Sequence, residues 1–187
     1  YDQDSWRGTR KYDGGALMNQ ASHYVDLLDW LIGPVSEVFA MTATRGRDIE
    51  VEDTANLQVR WRSGVLGSMS VTMLTYPKNL EGSITILGDK GTVRIGGKAV
   101  NDIQVWEFSN VSDDDDLISN CSYQTSSIYG FGHSPYYSNL INCLRGNAKP
   151  ICDGFEGLKS LEILAAAYKS SQTNKPISLP ISDEKLF

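Results

Sequence analysis

The sequence has 187 residues, of which 41% are hydrophobic, 10% aromatic and 21% charged. This composition is that of a globular protein and excludes a disordered or fibrous chain. The length favours a single domain over residues 1–187 with one substantial core. The formal net charge of -6, with no Lys/Arg cluster along any predicted helix, argues against a nucleic-acid partner.

Cysteine and histidine usage predicts free thiols and no metal site. The three cysteines, Cys121, Cys143 and Cys152, form no CxxC pair, and an odd number cannot pair fully within one chain. The two histidines, His23 and His133, form no HxxxH pattern and lie near no cysteine, which leaves zinc without a ligand set. Neither a long apolar span nor a signal-peptide pattern occurs, so we expect a cytoplasmic protein with no membrane partner.

The first predicted element is an amphipathic helix over residues 16–32. Gly14 and Gly15 precede this helix, and Gly33 and Pro34 end it, because proline cannot continue a helical hydrogen-bond ladder. Its apolar residues recur at about 100° per residue, which predicts one face packed on the core. That face consists of Leu17, Met18, Ala21, Val25, Leu28, Leu31 and Ile32.

A series of strands joined in hairpins is predicted next, from alternating apolar and polar residues. The predicted strands cover residues 37–44, 55–61, 65–73, 83–87, 92–95 and 103–108. Residues 109–132 lack any such alternation and contain four consecutive carboxylates, Asp113 to Asp116. This segment is therefore predicted to be a long loop with a solvated acidic run.

Two helices and a short strand complete the predicted order. The first helix covers residues 135–145, and the second begins at Asp153, with Glu156 placed for a capping box. The prolines of residues 175–181 bar a central position in a sheet and predict an edge strand. Helices segregated from a mostly antiparallel sheet predict an α+β fold.

A polar line on the first helix carries the candidate chemistry. On a helical wheel, Asn19, His23, Asp26 and Trp30 lie within about 60° of one another, opposite the apolar face. Imidazole titrates near neutral pH, so His23 can exchange a proton, and a carboxylate three residues later can orient it. Asn19 offers a donor and an acceptor to a substrate group. Such lines usually face water, but the aromatic Trp30 favours a partly covered cleft floor.

Other candidate residues allow both a structural and a functional interpretation. Gly14 and Gly15 either permit a turn or let the backbone approach a cofactor. Arg7 and Lys11 are surface charges that can meet an acidic ligand, and His133 either begins a helix or belongs to an anion or sugar site. The chain contains neither GxGxxG nor GxxxxGK[ST], so a redox dinucleotide must be held mainly by another domain.

Several segments resemble the C-terminal domain of the glucose-fructose oxidoreductase/inositol dehydrogenase (Gfo/Idh/MocA) family. The resemblance begins with WRGTRKYDGGALMNQASHYVDLLDWLIGPVSEVFA and continues through ILGDKGTVRI, YYSNLINCLRG and DGFEGLKSLEILAAAYKSS. It implies an open sheet of about six strands with helices on one face. It also implies a homodimer or homotetramer built through that sheet, and an N-terminal domain that binds NAD or NADP and supplies a catalytic lysine.

The resemblance further implies roles for individual residues. Residues 1–13 become the connection from the nucleotide-binding domain. His23 matches the histidine beside the nicotinamide, and Asn19 matches a substrate-contacting position one turn earlier. The expected site comprises His23 and Asp26 for catalysis, Asn19, Gln20, Arg7, Lys11 and His133 for substrate, and Gly14 and Gly15 for the cofactor.

The segments WRGT, ALMNQ and GFGHSPYYSNLI are most similar to family members that oxidise C3 of UDP-N-acetylglucosaminuronic acid. This sequence differs from those family members at two positions that bear on the identity of the substrate. Asp13 stands where relatives usually have a first of three glycines, and Ser22 replaces a small or apolar residue before the histidine. The alternative is a non-catalytic ligand-binding or oligomerisation module with the same fold.

Overall fold

The computed structural model describes residues 4–97, 99–110, 115–118, 121–125 and 130–182. They belong to two compact units, one formed by Tyr1–Thr75 with Cys152–Phe187 and the other by Tyr76–Ile151. The helices are a π-helical turn at Ala16–Gln20, α1 at Ser22–Ile32, α2 at Asp115–Ile118, α3 at His133–Leu144 and α4 at Gly154–Thr173. The strands are β1 at Val35–Ala43, β2 at Thr54–Trp61, β3 at Leu66–Thr72, β4 at Ile84–Leu87, β5 at Gly91–Gly96, β6 at Asp102–Phe108 and β7 at Ile177–Ser178.

The predicted α+β class is confirmed, and every strand pair is antiparallel. The strands form two sheets rather than the single open sheet expected. The first unit holds a four-stranded sheet in the order β3-β2-β1-β7, and the second holds a three-stranded sheet in the order β4-β5-β6. The short β7 pairs with β1 at one edge, as its prolines predicted.

The core of the first unit lies on one face of its sheet. Strand β2 alternates as predicted, with Ala55, Leu57, Val59 and Trp61 buried between exposed polar residues. Helix α4 packs on this face through an alanine-rich stripe, which brings its backbone close to the sheet. The buried residues of α4 are Ile163, Leu164, Ala166, Ala167 and Ser170.

Hydroxyl groups fasten α4 to β1. The fully buried Ser170 accepts a 2.9 Å hydrogen bond from the backbone N–H of Ala40 and donates one of 2.7 Å to the carbonyl of Lys175. The hydroxyl of the next residue, Ser171, lies 2.7 Å from the hydroxyl of Thr42 on β1. Because buried hydroxyls are costly unless paired, these bonds select one position of the helix along the strand.

The first helix is less regular than the periodicity of residues 16–32 predicted. It opens with the π-helical turn, breaks at Ala21, and continues as α1, which ends at Ile32 before Gly33. Most π-helical turns occur as single turns and often lie at functional sites. Most of the predicted apolar face packs inward, with Leu17 and Val25 in the core and Leu28 and Ile32 against it, whereas Leu31 is 38% exposed.

Part of the predicted long loop is helical in the second unit. Asp115 begins the single-turn α2 and accepts a 2.8 Å hydrogen bond from the indole N–H of Trp106, whereas Asp113 lies outside the described residues. The acidic run therefore has a structural contact at Asp115. Helix α3 begins at His133, close to the predicted start, and has no buried residue.

The N-cap predicted at Asp153 is confirmed, but the predicted capping box is not closed, because the Glu156 carboxylate binds Lys159 instead. One carboxylate oxygen of Asp153 accepts hydrogen bonds from the backbone N–H groups of Phe155 and Glu156, at 2.9 and 3.1 Å. Such side chains satisfy donors that a helix start leaves free. Among the described helices, none has the length and apolar character needed to cross a membrane.

Candidate functional site

The polar line of the first helix lies on the open surface of the first unit. Asn19 is in the π-helical turn, His23, Asp26 and Trp30 are on α1, and all four are exposed, Trp30 by 77%. The sequence predicted that this line forms the partly covered floor of a cleft. In the structure the line is exposed, and nothing in the described part of the chain packs over it.

His23 contributes the imidazole ring of this line. Its ring lies 4.4 Å from the ring of Tyr24, centroid to centroid, with the planes tilted by 42°. Partial burial of the ring lowers the pKa of His23 below its ordinary value of 6.5, because desolvation disfavours the charged imidazolium. The lowered pKa favours the neutral imidazole, which is the form that can accept a proton.

Asp26 shares the exposed face of α1 with His23, as the spacing predicted. Within the described residues, however, no hydrogen bond or ion pair joins the two side chains. The orienting role of Asp26 therefore remains a prediction.

Asn19 is held at both ends of its side-chain amide. Its NH2 group donates to Asp13 Oδ1, and its carbonyl oxygen accepts a 3.1 Å hydrogen bond from Nε2 of Gln20. The second oxygen of Asp13 accepts a 2.6 Å hydrogen bond from the backbone N–H of Gly8. Asp13, which departs from the usual glycine, thus fixes the orientation of a predicted substrate-binding residue.

The two predicted cofactor-binding glycines have a structural explanation. Gly14 adopts a positive φ of 79°, which favours glycine. Gly15 is buried, and a Cβ atom added to it would lie 2.2 Å from the side-chain carboxyl group of Glu52. The second glycine is needed there because a carboxylate packs directly against the backbone.

Glu52 is a buried hydrogen-bonding centre that the sequence analysis missed. It is only 7% exposed, and its Oε1 accepts 2.9 Å hydrogen bonds from the backbone N–H of Leu17 and from the hydroxyl of Tyr168. Burial raises the pKa of Tyr168, and the neighbouring Glu52 carboxylate raises it further. The partners lie 35 and 116 residues away, so no local pattern could reveal them.

The predicted cationic residues are exposed on the segment before the first helix. Arg7 Nε lies 3.4 Å from Asp4, and its guanidinium lies 5.1 Å from the ring centre of Trp6. The ammonium of Lys11 lies 4.9 Å from the ring of Tyr12. These cation–π contacts leave both charged groups accessible to solvent.

A cleft of about 450 Å³ opens beside this segment. Its polar lining includes Arg10, Glu50, Glu52 and Tyr168, and Gly14 also contributes. Among the predicted site residues, only Gly14 lines this cleft. The sequence analysis did not single out Arg10, whose backbone N–H donates a 3.0 Å hydrogen bond to Glu50.

His133 belongs to the second unit, where it is the exposed first residue of α3. The first unit brings together Asn19 and Gln20, which are hydrogen-bonded.

The three cysteines form no disulfide. Across the described residues, no group of three His, Cys, Asp or Glu side chains is placed to hold a metal ion.

A family model described as "Oxidoreductase family, C-terminal alpha/beta domain" matches residues 1–179. The chain belongs to this Gfo/Idh/MocA oxidoreductase family. The resemblance stated from the sequence is thereby confirmed. No match was found among curated proteins.

Two solved structures are similar to this chain over almost its whole length. The WlbA dehydrogenase from Bordetella pertussis, in complex with NADH and UDP-GlcNAcA, is 60% identical with a TM-score of 0.92, over 97% of this chain and 53% of that chain. The WlbA dehydrogenase from Chromobacterium violaceum, also with NADH and UDP-GlcNAcA, is 61% identical with a TM-score of 0.90, over 98% and 51%. The chain therefore spans about half the length of these two relatives.

A more distant solved structure shares the fold alone. Levoglucosan dehydrogenase, in complex with NADH and levoglucosan, is 19% identical with a TM-score of 0.74, over 94% of this chain and 53% of that chain. The architecture of this oxidoreductase domain thus persists where most side chains differ.

Proposed function

We propose that this chain is the substrate-binding domain, with the catalytic histidine, of an NAD-dependent dehydrogenase that oxidises a nucleotide sugar. The proposed reaction is oxidation of the C3 hydroxyl of UDP-N-acetylglucosaminuronic acid or a close relative. The observation that carries the proposal is the exposed His23 on the polar face of the first helix, in a chain about 60% identical to two WlbA dehydrogenases solved with NADH and UDP-GlcNAcA.

The chemistry of the exposed line fits alcohol oxidation. A secondary hydroxyl that loses hydride must also lose its proton, and His23 with a lowered pKa is a base suited to neutral pH. When bound, NAD supplies the acceptor for the hydride. Asp26 then stabilises the imidazolium that forms, and Asn19 binds a neighbouring hydroxyl of the sugar.

The open surface around His23 fits a site completed by another part of a longer protein. The two WlbA dehydrogenases are about twice as long as this chain, which lacks a GxGxxG motif of its own. We infer that a nucleotide-binding domain holds NAD or NADP and packs over the exposed line, with Gly14 and Gly15 beside the cofactor. Trp30, 77% exposed, is then a contact of that domain.

The remaining predicted residues suit an acidic nucleotide sugar. UDP-N-acetylglucosaminuronic acid carries a carboxylate and a diphosphate, and guanidinium groups bind both kinds of anion with paired hydrogen bonds. We assign Arg7, Lys11 and Gln20 of the first unit to these groups, and we retain His133 of the second unit as a separately proposed substrate-binding residue. The accessible cationic ends of Arg7 and Lys11 support the assignment.

We further propose that the protein is a cytoplasmic homodimer or homotetramer that associates through its sheet. The outer face of the four-stranded sheet supports this, because Met41 of β1 and Leu66 of β3 are 58% and 68% exposed. Exposed apolar side chains on a sheet face are typical of association surfaces. Light scattering of the full-length protein, with and without Met41→Lys, tests the assembly.

The decisive experiment measures NADH formation by the full-length protein with UDP-N-acetylglucosaminuronic acid and NAD. We expect the His23→Gln variant to lose roughly 10²–10⁴-fold in kcat, the range of a positioned acid–base group. The matched control is His133→Gln, for which a rise in KM is expected with kcat largely retained. Wild-type protein that binds the nucleotide sugar without forming NADH would instead identify a non-catalytic binding module.

A further inference from the structure

We propose that Glu52, held by Tyr168, is a positioning residue that sets the place of Asn19 and His23 on the first helix. This inference rests on the proposed function, in which those two side chains act on the substrate. Glu52 itself lies beneath the helix and does not belong to the exposed line.

The start of the first helix has no local cap. No side chain at Gly15 caps the π-helical turn, although the first N–H groups of a helix need acceptors. Glu52 supplies two acceptors: its backbone carbonyl binds the N–H of Ala16 and its Oε1 binds the N–H of Leu17, both at 2.9 Å. One residue from the segment before β2 therefore performs the function of a helix cap.

The carboxylate that caps the turn is itself held from two sides. The hydroxyl of Tyr168 donates to Glu52 from α4, and α4 is fastened to β1 through the buried Ser170. On the other side, the carboxyl group packs against Gly15, where no Cβ atom would fit. The start of the helix is thus tied to the buried contact between α4 and β1.

The capped turn continues directly into the polar line. The N–H of Asn19 donates a 2.9 Å hydrogen bond to the carbonyl of Gly15, so Asn19 belongs to the turn that Glu52 caps. His23 lies one turn later. Because a misplacement of about 1 Å can cost roughly 10²-fold in rate, loss of the cap is expected to act on catalysis through geometry.

The test compares two adjacent buried carboxylates in the full-length protein. Glu52→Ala removes the helix cap, whereas Asp53→Ala removes a buried carboxylate that caps the Arg45–Arg47 turn instead. We expect Glu52→Ala to lower kcat by about 10- to 100-fold and Asp53→Ala by less than about twofold, measured where both are folded. Glu52→Gln keeps an acceptor for both partners and is expected to restore kcat to within about threefold of wild type.

The proposal would be overturned if Glu52→Ala and Asp53→Ala lowered kcat equally. It would also be overturned if the Glu52→Ala enzyme had the wild-type kcat. If Glu52→Ala does not fold, Tyr168→Phe takes its place, because it removes one hydroxyl from the network. That variant is expected to lower kcat by about three- to tenfold at wild-type KM. An unchanged kcat in Tyr168→Phe overturns the proposal.

A second readout separates this proposal from the proposed function. The ring signal of His23 is followed by NMR with labelled histidine and assigned by its disappearance in His23→Gln. We expect Glu52→Ala to shift this signal and its titration midpoint, while Asp53→Ala leaves both unchanged. If wild-type protein shows no dehydrogenase activity, the proposed function fails, and a His23 signal unmoved by Glu52→Ala refutes the positioning role independently.

Discussion

The buried carboxylate of Asp53 lies 2.8 Å from the backbone nitrogen of Gly46 and binds the N–H groups on either side as well. The hydroxyl of Thr54 donates a hydrogen bond to the other carboxylate oxygen of Asp53. Burial by itself raises the pKa of Asp53, but the three backbone donors and the hydroxyl outweigh burial and lower it below 3.8. The folded state therefore favours the ionised carboxylate, which holds the connection between β1 and β2.

Replacing Asp53 by Asn should destabilise the protein at neutral pH. The neutral amide oxygen is a weaker acceptor for the three backbone N–H groups than a carboxylate oxygen, and the amide nitrogen cannot accept the Thr54 hydroxyl, so we expect a loss of about 1–3 kcal/mol in the free energy of unfolding. Since the folded pKa is depressed, the stabilisation from Asp53 is present above pH 3.8 and is lost as pH falls through the folded value. Denaturant unfolding across this range should show the difference from wild type shrinking in acid. A difference independent of pH would contradict the ionised cap.

Replacing Gly15 by Ala tests the close approach of Glu52. The new Cβ atom would lie 2.2 Å from a carboxyl group held by two hydrogen bonds, so the clash cannot be relieved cheaply. We expect a loss of about 1–3 kcal/mol in stability. The control is Gly157→Ala in α4, where a Cβ atom meets nothing within 4 Å and a gain of about 0.5–1 kcal/mol is expected. Similar effects of both substitutions would refute the packing argument.

The cap of α4 should be separable from the ion pair beside it. Asp153→Ala leaves the N–H groups of Phe155 and Glu156 without their acceptor, which is expected to cost about 1 kcal/mol. Glu156→Gln breaks only the exposed pair with Lys159 and should change stability by less than about 0.5 kcal/mol. Thermal unfolding of the two variants provides the comparison, and a larger effect at Glu156 would count against the cap.

The pH dependence of the proposed reaction should report the environment of His23. Desolvation lowers the pKa of this side chain, which favours the unprotonated base. We therefore expect kcat/KM for oxidation to decline on acidification with a midpoint below the ordinary histidine value of 6.5, as imidazolium forms. The His23→Gln enzyme should lack this decline. If kcat/KM of the variant still declines in acid, the decline belongs to the titration of another group.

Local patterns predicted most of the elements. The period of the first helix, the alternation of β2, the cap at Asp153 and the edge strand at β7 all appear in the structure. Each depends on residues within a few positions of one another, which a single sequence displays directly. The same reasoning placed Asn19, His23 and Asp26 on one face of the helix, but it predicted a partly covered face where the structure has an exposed one.

The sequence by itself determined the α+β class, the family and the face that carries the candidate histidine. Only the tertiary structure decided that this face is open in the chain, that the strands form two sheets, and that Asp13 holds Asn19. It also decided that Glu52 caps a π-helical turn with support from Tyr168, 116 residues later in the chain. Periodicity records how each segment divides between core and solvent, whereas burial of a carboxylate depends on partners that meet only when distant segments pack.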